Sequence, residues 1–237
     1  MIIAIVSDIH ANLEAFQSSL EYLKENEIDR IYCLGDVVGY GPNPNECIDL
    51  VRENCKVVLM GNHDFAVIGM GDIQNFNEYA KLSTFWTREN LLTQNMEFIK
   101  SWPFSYDLDN SFLVHASPKN PSNWEYILSL NDARKCLKTY NQRTCFIGHT
   151  HVPVIFSKSD YHRQTKFGLK KNQKYLVNVG SLGQPRDGDP RCCFVLYDDE
   201  KDKIEYVRLN YDIRKTYNKI IKAGLPVFLA ERLLKGY

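Results

Sequence analysis

The chain has 237 residues, and its 29 Lys and Arg balance its 29 Asp and Glu, so the formal net charge is zero. This balance argues against bulk nucleic-acid binding by a basic excess, and a hydrophobic fraction of 44% excludes a disordered chain. No apolar run approaches the ~20 residues that a membrane helix needs. We therefore expect no membrane partner. The length favours a single domain over residues 1–237.

The first strand is predicted at residues 2–6, where an apolar run begins without a basic segment before it. Asp8 and His10 follow directly, which argues against a signal peptide. The seven cysteines are scattered, contain no C-x-x-C pair and in several cases lie inside apolar runs. Such cysteines are typical of small buried side chains in a reducing compartment, so we expect a cytoplasmic protein.

Strands and helices alternate through the next part of the chain. Asn12 can cap a helix with apolar residues at helical spacing, and apolar runs predict strands at 31–34 and 57–60. Pro42 and Pro44 break the loop before a short helix at 46–53. Strand–helix–strand alternation is typical of parallel strands joined by right-handed crossovers.

The middle of the chain is predicted to be helical. In the helix at 76–92, the stripe Tyr79, Leu82, Phe85 and Trp86 favours packing into the core, and a second helix is predicted at 93–100. The alternative is a helical cap over 75–100 that narrows access to a site. Runs at 112–114 and 145–147 predict strands, with a helix at 130–137 between them.

The pattern changes after residue 152. Short β-rich runs at 152–156, 175–179, 192–197 and 204–209 predict an antiparallel sheet. The polar segment 159–173 is expected to be an exposed hairpin tip or loop, and helices are predicted at 211–222 and 227–234. One mixed α/β domain with two sheets is therefore the expected fold.

Polar side chains follow the apolar runs, and five of the six histidines lie there beside Gly, Asp or Asn. Functional groups gather beyond the carboxyl ends of parallel strands, and neighbouring strands lie about 4.8 Å apart, so these residues can share one site. The candidate metal ligands are Asp8, His10, Asp36, Asn62, His115, His149 and His151.

This donor set contains oxygen and imidazole but no thiolate, which suits Mn, Fe, Zn or Ni rather than a structural cysteine–zinc site. Seven ligands are too many for one four-coordinate ion with an open position, but they suit two ions that share a carboxylate. Two such ions clamp the attacking and leaving oxygens of a displacement at phosphorus and lower the pKa of a bridging water. The expected reaction is in-line attack of a metal-bridging hydroxide.

His63 lies between Asn62 and Asp64 and is the candidate catalytic histidine. We expect the Asp64 carboxylate to orient the imidazole and to hold it protonated. A protonated His63 can stabilise the phosphoryl oxygens or protonate the leaving group.

Together these motifs resemble the calcineurin-like metallophosphoesterases over residues 1 to about 200. The matching pieces are, in order, Asp8-Ile9-His10, Gly35-Asp36, Gly61-Asn62-His63-Asp64, His115 and Gly148-His149-Thr150-His151. The resemblance implies one ion held by Asp8, His10, Asp36 and His151. It implies a second ion held by Asp36, Asn62, His115 and His149, with Asp36 bridging and manganese favoured.

Further segments are similar to the compact bacterial and archaeal branch of that family, which contains small phosphodiesterases. They are Gly39-Tyr40-Gly41-Pro42, His115-Ala116-Ser117-Pro118, Asn178-Val179-Gly180-Ser181 and Gly183-Gln184-Pro185-Arg186. The implied fold is a four-layer β-sandwich of two sheets flanked by helices. The implied activity is hydrolysis of a small phosphodiester or nucleotide-type substrate. The alternatives are a symmetrical diadenosine tetraphosphate hydrolase and a non-catalytic scaffold.

Three residues are candidates for substrate contact. Arg186 lies in a turn-rich loop, where it can pair with Asp187 or Asp189 or can reach a substrate phosphate. Tyr40 and Asn43 follow Asp36 and are expected to line the cleft.

Overall fold

The structure is a computed structural model that describes residues 1–28 and 30–237. Within these residues the strands form two six-stranded sheets. In chain order the strands are β1 (Ile2–Val6), β2 (Ile31–Cys33), β3 (Cys55–Val58), β4 (Ser105–Leu108), β5 (Ser111–Val114), β6 (Thr144–Ile147), β7 (Val154–Phe156), β8 (Tyr161–His162), β9 (Lys166–Gly168), β10 (Tyr175–Asn178), β11 (Cys192–Asp198) and β12 (Lys203–Leu209).

Helices cover the outer faces of the sheets. They are α1 (Leu13–Glu25), α2 (Pro44–Asn54), α3 (Asn62–Val67), α4 (Glu78–Asn90), α5 (Thr93–Lys100), α6 (Leu130–Cys136), α7 (Ile213–Lys222) and α8 (Val227–Glu231), with 3₁₀-helices at Pro121–Asn123 and Arg232–Leu234. The Asn12 side chain accepts a hydrogen bond from the Ala15 N–H, which confirms the predicted cap of α1. In the described ranges, no helix combines the length and the apolar character needed to cross a membrane.

The first sheet has the order β3-β2-β1-β11-β12-β9, and the second has the order β4-β5-β6-β10-β7-β8. Each contains a parallel group, β3-β2-β1 in the first and β5-β6-β10 in the second. In the first sheet Val6 pairs with Cys33 and Cys33 with Val58, so these strands end at the same edge. The polar residues that follow them are therefore brought together.

The two sheets pack face to face, and helices cover both outer sides. Ile5 of the first sheet and Phe146 of the second lie in one fully buried apolar cluster. The opposite face of the first sheet packs on α1 and α2, and the opposite face of the second packs on α6. Burying one apolar side chain such as Ile5 or Phe146 contributes about 1.5–3 kcal/mol to the free energy of unfolding. This arrangement confirms the predicted two-sheet sandwich.

The strands after residue 152 do not form one antiparallel sheet, and that prediction is wrong. β10 pairs in parallel with β6, whereas β11 inserts antiparallel beside β1 in the other sheet. The segment 159–173 is mostly exposed, as predicted, and it contains two short strands: β8, which forms a hairpin with β7, and β9, which pairs with β12. A short apolar run predicts a strand but not its partner, which depends on contacts distant in sequence.

The predicted packing of the α4 stripe is wrong for three of its four residues, whereas Trp86 packs on an apolar cluster with the C-terminal helices. Tyr79, Leu82 and Phe85 are 39%, 48% and 48% exposed. The buried face instead carries Ala80, Ser83, Thr84 and Thr87. The hydroxyls on this face donate to carbonyls one turn earlier, at 2.7–3.0 Å, and hydrogen-bonded polar groups can be buried at little cost.

Candidate metal centre and active site

The predicted ligands lie at the carboxyl ends of strands from both sheets. In the first sheet, Asp8 and His10 follow β1 and Asp36 follows β2, while Asn62 opens α3 after β3. In the second sheet, His115 follows β5, and His149 and His151 follow β6. All seven side chains are buried.

These residues form two adjacent clusters. The first cluster is Asp8, His10 and His151, and the second cluster is Asp36, His115 and His149; within each, the ligating atoms lie within 4.8 Å of one another. Asp36 links the two, because its Oδ2 lies 3.3 Å from His115 Nε2 and 3.8 Å from His10 Nε2. Asn62 adjoins the second cluster, with its Oδ1 3.3 Å from His115 Nε2.

Each of the four cluster histidines donates one ring N–H to a backbone carbonyl. The pairs are His10 Nδ1 to Val38 O (3.1 Å), His115 Nδ1 to Leu34 O (3.2 Å), His151 Nδ1 to Gln184 O (2.5 Å) and His149 Nε2 to Trp124 O (3.1 Å). A carbonyl can only accept, so these ring nitrogens carry the hydrogens. In a neutral imidazole the other nitrogen then keeps a lone pair, the form that binds a metal.

The resulting arrangement fits divalent cations. His10 Nε2 and His151 Nε2 lie 3.2 Å apart, and neither carries a hydrogen for the other. Asp8 Oδ1 is buried, lies 3.2 Å from His151 Nε2 and has no hydrogen-bond partner among the described residues. Converging buried lone pairs are costly unless a cation lies between them, and nitrogen and oxygen donors suit Mn, Fe, Zn or Ni.

The electrostatics of the clusters favour added positive charge. Burial opposes ionisation of both carboxyls, but His115 and His63 hold the pKa of Asp36 well below its usual range, and His151 lowers the pKa of Asp8. Burial also opposes protonation of His115, yet Asp36 raises the pKa of that imidazole to about 9. The carboxylates thus stay ionised at neutral pH and attract cations.

The backbone at the site is both crowded and strained. A Cβ on Gly148 would collide with Ser7 and Asp8, so only glycine lets the loop after β6 approach β1 this closely. Five cluster residues adopt positive φ: Asp8 (54°), His10 (49°), Asp36 (53°), His149 (67°) and His151 (62°). Such a conformation costs a non-glycine residue about 1–3 kcal/mol and is typical of functional sites.

His63 lies beside the first cluster, with its ring 5.1 Å from His10, 4.5 Å from Tyr40 and 4.9 Å from Phe76. Its Nδ1 is buried and has no hydrogen-bond partner among the described residues. Burial, with a smaller contribution from the charge of Arg186, lowers the pKa of His63 to about 4, although the Asp36 carboxylate opposes this shift. The imidazole is therefore neutral near pH 7, which differs from the prediction that it is held protonated.

Asp64 has other partners than predicted. Its carboxylate accepts backbone N–H bonds from Asp36 (2.7 Å), Val38 (3.1 Å) and Gly61 (3.1 Å) and does not bond His63. Burial and the charge of Asp36 raise the pKa of Asp64 to about 7, while these donors favour the ionised form. Asp64 thus ties the loop after β2 to the loop after β3 and positions Asp36.

Arg186 reaches the site, whereas Asn43 does not. Asp187 and Asp189 pair with Arg208 and Arg191 instead of Arg186. The Arg186 guanidinium lies 5.8 Å from the centre of the Tyr40 ring, which is 4.8 Å from the His10 ring. The Asn43 side chain donates to Glu46 (2.8 Å) and accepts from Lys219 (3.0 Å), so both its ends are used away from the clusters.

Two site residues were not predicted from the sequence. Trp124 has a left-handed backbone (φ 57°) that lets its carbonyl accept from His149, and Tyr126 stacks on the His149 ring at 4.0 Å while remaining 54% exposed. Both lie in the irregular loop after His115. No motif marks them, although two aromatic residues between a strand-end histidine and the next helix are a usable signal.

Known proteins are similar to this chain in sequence and in fold. The model of the calcineurin-like phosphoesterase superfamily domain matches residues 1–202. An uncharacterized protein of Methanocaldococcus jannaschii is 41% identical over 241 residues, which cover 99% of this chain and 98% of that protein. The crystal structure of a metallophosphoesterase from Sphaerobacter thermophilus is 35% identical, with a TM-score of 0.90 and coverage of 100% of this chain and 99% of that chain.

A shorter match concerns a nucleotide-processing enzyme. The symmetrical bis(5'-nucleosyl)-tetraphosphatase of Erwinia tasmaniensis is 33% identical over 69 residues, or 28% of this chain and 25% of that protein. The full-length matches carry the assignment: the chain belongs to the calcineurin-like phosphoesterase superfamily. This membership and the two ligand clusters support phosphoester hydrolysis.

Proposed function

We propose that the protein is a phosphoesterase that uses two divalent ions to hydrolyse a small phosphodiester or nucleotide-type substrate. The observation that carries the proposal is the pair of buried clusters joined by Asp36, in which each histidine uses one ring nitrogen for a backbone carbonyl and leaves the other for a metal. Asp8, His10, Asp36 and His151 would hold one ion, and Asp36, Asn62, His115 and His149 the other. Manganese is favoured, with Fe, Zn and Ni as the alternatives for these donors.

When bound, such ions polarise phosphoryl oxygens and lower the pKa of water. The protein's own contribution is positioning and proton transfer. His63 is neutral without substrate, but a phosphate beside it favours the protonated imidazole. His63 can then give a proton to the leaving oxygen. Arg186, which has no carboxylate partner among the described residues, can bind a non-bridging phosphate oxygen.

Phe76 and Tyr40 exclude water from one side of His63. We propose that only the first residues of the segment 75–100 cap the site, where Phe76 contacts His63. The end of this segment, α5, packs on α2 instead, and there Arg52 donates to Asn95 (2.7 Å). Tyr40 also packs with the C-terminal helices, which extend beyond the family match. This contact supports a single working unit over residues 1–237.

Metal removal and a His63 variant test the proposal. The manganese-loaded protein should hydrolyse bis(p-nitrophenyl) phosphate, and EDTA should abolish this activity until metal is restored. His63→Ala should lower kcat by about 10²–10⁴-fold with metal content unchanged. His162→Ala is the matched control, since His162 contacts Phe167 in the β8–β9 region. Full activity of metal-stripped protein, or of His63→Ala, would contradict the proposal.

The match to the Erwinia enzyme favours a second candidate, a symmetrical diadenosine tetraphosphate hydrolase. Symmetrical cleavage yields two ADP molecules, whereas asymmetrical cleavage yields ATP and AMP. Chromatography of the products from diadenosine tetraphosphate at fixed manganese should therefore separate this candidate from a general phosphodiesterase. Absence of any cleavage would remove it.

We also propose a cytoplasmic location. All seven cysteines are free and six of them are buried, as expected for thiols in a reducing compartment. Cell fractionation should recover the protein with cytoplasmic markers, and recovery with an oxidising compartment would contradict this assignment.

A further inference from the structure

Two arginines that are distant in sequence lie close enough to Tyr40 for their charges to act on its hydroxyl. Arg186 belongs to the loop between β10 and β11, and Arg232 opens the last 3₁₀-helix. The two segments are joined by a hydrogen bond from Gly188 N–H to the Gly236 carbonyl (2.8 Å). A Cβ on Gly236 would lie 2.6 Å from the Asp189 backbone, so the contact is close-packed. The backbone therefore holds the two cations near each other.

Neither guanidinium forms an ion pair with an Asp or Glu side chain in the described ranges. Arg186 donates through Nη2 to Gln184 Oε1 (2.7 Å), while its buried Nε has no partner among the described residues. Arg232 donates through Nε to a terminal oxygen of Tyr237, the last residue in the structure (2.5 Å), and its two Nη groups form no hydrogen bond with the described residues. Donors therefore remain for a ligand.

Two neighbouring arginines, in contrast, form ion pairs with the acidic residues of this loop. Arg191 forms a two-pronged pair with Asp189, and Arg208 pairs with Asp187. Asp187 and Asp189, the acidic residues of the loop, are thus paired with these two arginines and not with Arg186 or Arg232. Burial and the charge of Arg186 lower the pKa of Arg232 to about 10, so the two guanidinium groups lie close enough to repel each other, yet both remain charged at neutral pH.

The pair lies next to the metal centre. Tyr40 separates them: the Arg186 guanidinium is 5.8 Å from its ring centre, and the His10 ring is 4.8 Å from it. Two half-buried, mutually repelling guanidinium groups are stabilised by an anion that binds both, and planar guanidinium groups match phosphate geometry in a two-pronged manner.

We propose that Arg186 and Arg232 form a second anion subsite beside the metal centre, which selects substrates that carry at least one further phosphate beyond the one that is hydrolysed. This inference rests on the proposed phosphoesterase function and narrows its substrate class. Arg232 is then a specificity-determining residue supplied by the C-terminal segment.

Inhibition of bis(p-nitrophenyl) phosphate hydrolysis tests the subsite at fixed free manganese. AMP serves as the one-phosphate probe, and ADP and adenosine 3',5'-bisphosphate serve as two-phosphate probes. For the unmodified enzyme, the better two-phosphate probe should inhibit at a concentration roughly 10-fold or more below that of AMP. Arg232→Gln should bring this ratio close to one, and Arg232→Lys should give an intermediate ratio.

Lys235→Gln is the matched control, because it removes a positive charge from the same C-terminal segment at an exposed position. It should preserve the ratio. The inference is overturned if the unmodified enzyme does not distinguish the probes, if Arg232→Gln keeps the ratio, or if Lys235→Gln lowers it equally. Absence of hydrolysis by the unmodified enzyme would instead overturn the proposed function, and with it the subsite.

Discussion

The two sheets supply different halves of the site. The first sheet provides both carboxylates, Asp8 and Asp36, together with His10 and the Asn62 amide. The second sheet provides only imidazoles, those of His115, His149 and His151. The negative charge that attracts cations thus lies on one side, and most of the neutral nitrogen donors lie on the other. Neither sheet alone can form a complete cluster, so the packing of the sandwich is itself a requirement for the site.

The two halves are also held in place differently. On the side of the first sheet, the Asp64 carboxylate accepts three backbone N–H bonds and joins two loops. On the side of the second sheet, ring N–H bonds to carbonyls fix the imidazoles, and Tyr126 stacks on His149. The first half is therefore held by a side chain that accepts from backbone N–H groups, whereas the second is held by side chains that donate to backbone carbonyls.

The largest loss of activity is expected from a substitution among the residues that the first sheet supplies. Asp36→Asn keeps the size of the side chain but removes the charge shared by the two clusters. Since metal activation contributes several kcal/mol, we expect kcat/KM for bis(p-nitrophenyl) phosphate to fall roughly 10³-fold. Elemental analysis should also show fewer ions per chain.

Asp49→Asn is the control for this change, because Asp49 is an exposed acid that pairs with Arg52 on α2. Activity and metal content should stay at their original values in this variant. If Asp36→Asn kept both ions and most of its activity, the division of charge between the two sheets would have no functional meaning.

A smaller loss of activity is expected from a substitution among the residues that the second sheet supplies. His149→Ala removes a neutral donor but leaves both carboxylates, so activity should fall about 10²-fold at low manganese and recover partly at high manganese. A titration of activity against manganese measures this recovery. Asp36→Asn should recover less than His149→Ala, and equal recovery would remove the predicted difference between the halves.

The smallest effect on chemistry is expected at Asp64. Asp64→Asn places an NH₂ group against backbone donors, so the free energy of unfolding should fall by about 1–3 kcal/mol. Urea denaturation measures this loss. The exposed Asp49→Asn should cost less than about 1 kcal/mol. Unchanged stability of Asp64→Asn would show that the loops of the first sheet are held by other contacts.

The candidate ligands could be predicted from sequence because the signal is local. An apolar run followed by Gly or Asp and a polar group marks a strand end, and parallel pairing aligns such ends at one edge. This pattern predicts Asp8, Asp36 and His149 as candidate ligands. The cap at Asn12 is local too, since the side chain bonds a residue three positions later.

The remaining features depend on contacts between distant segments. The distribution of β10 and β11 over two sheets follows from packing, because each strand is a short apolar run whichever sheet it joins. The partners of Asp64 are backbone groups as many as 28 residues away. Arg232 meets the loop of Arg186 only through the folded C-terminal segment, and no motif in either segment predicts this contact.

Because five cluster residues have a left-handed backbone, substitutions that increase stability at these positions are expected to decrease activity. Glycine adopts positive φ without strain, so replacing Asp8, His10 or His151 with glycine would relieve part of a backbone cost of about 1–3 kcal/mol at each position. Each replacement would also delete a donor of the site. A directed-evolution screen that rewards heat resistance alone would therefore accept inactive chains, and thermostabilisation of this enzyme has to be sought elsewhere in the sequence.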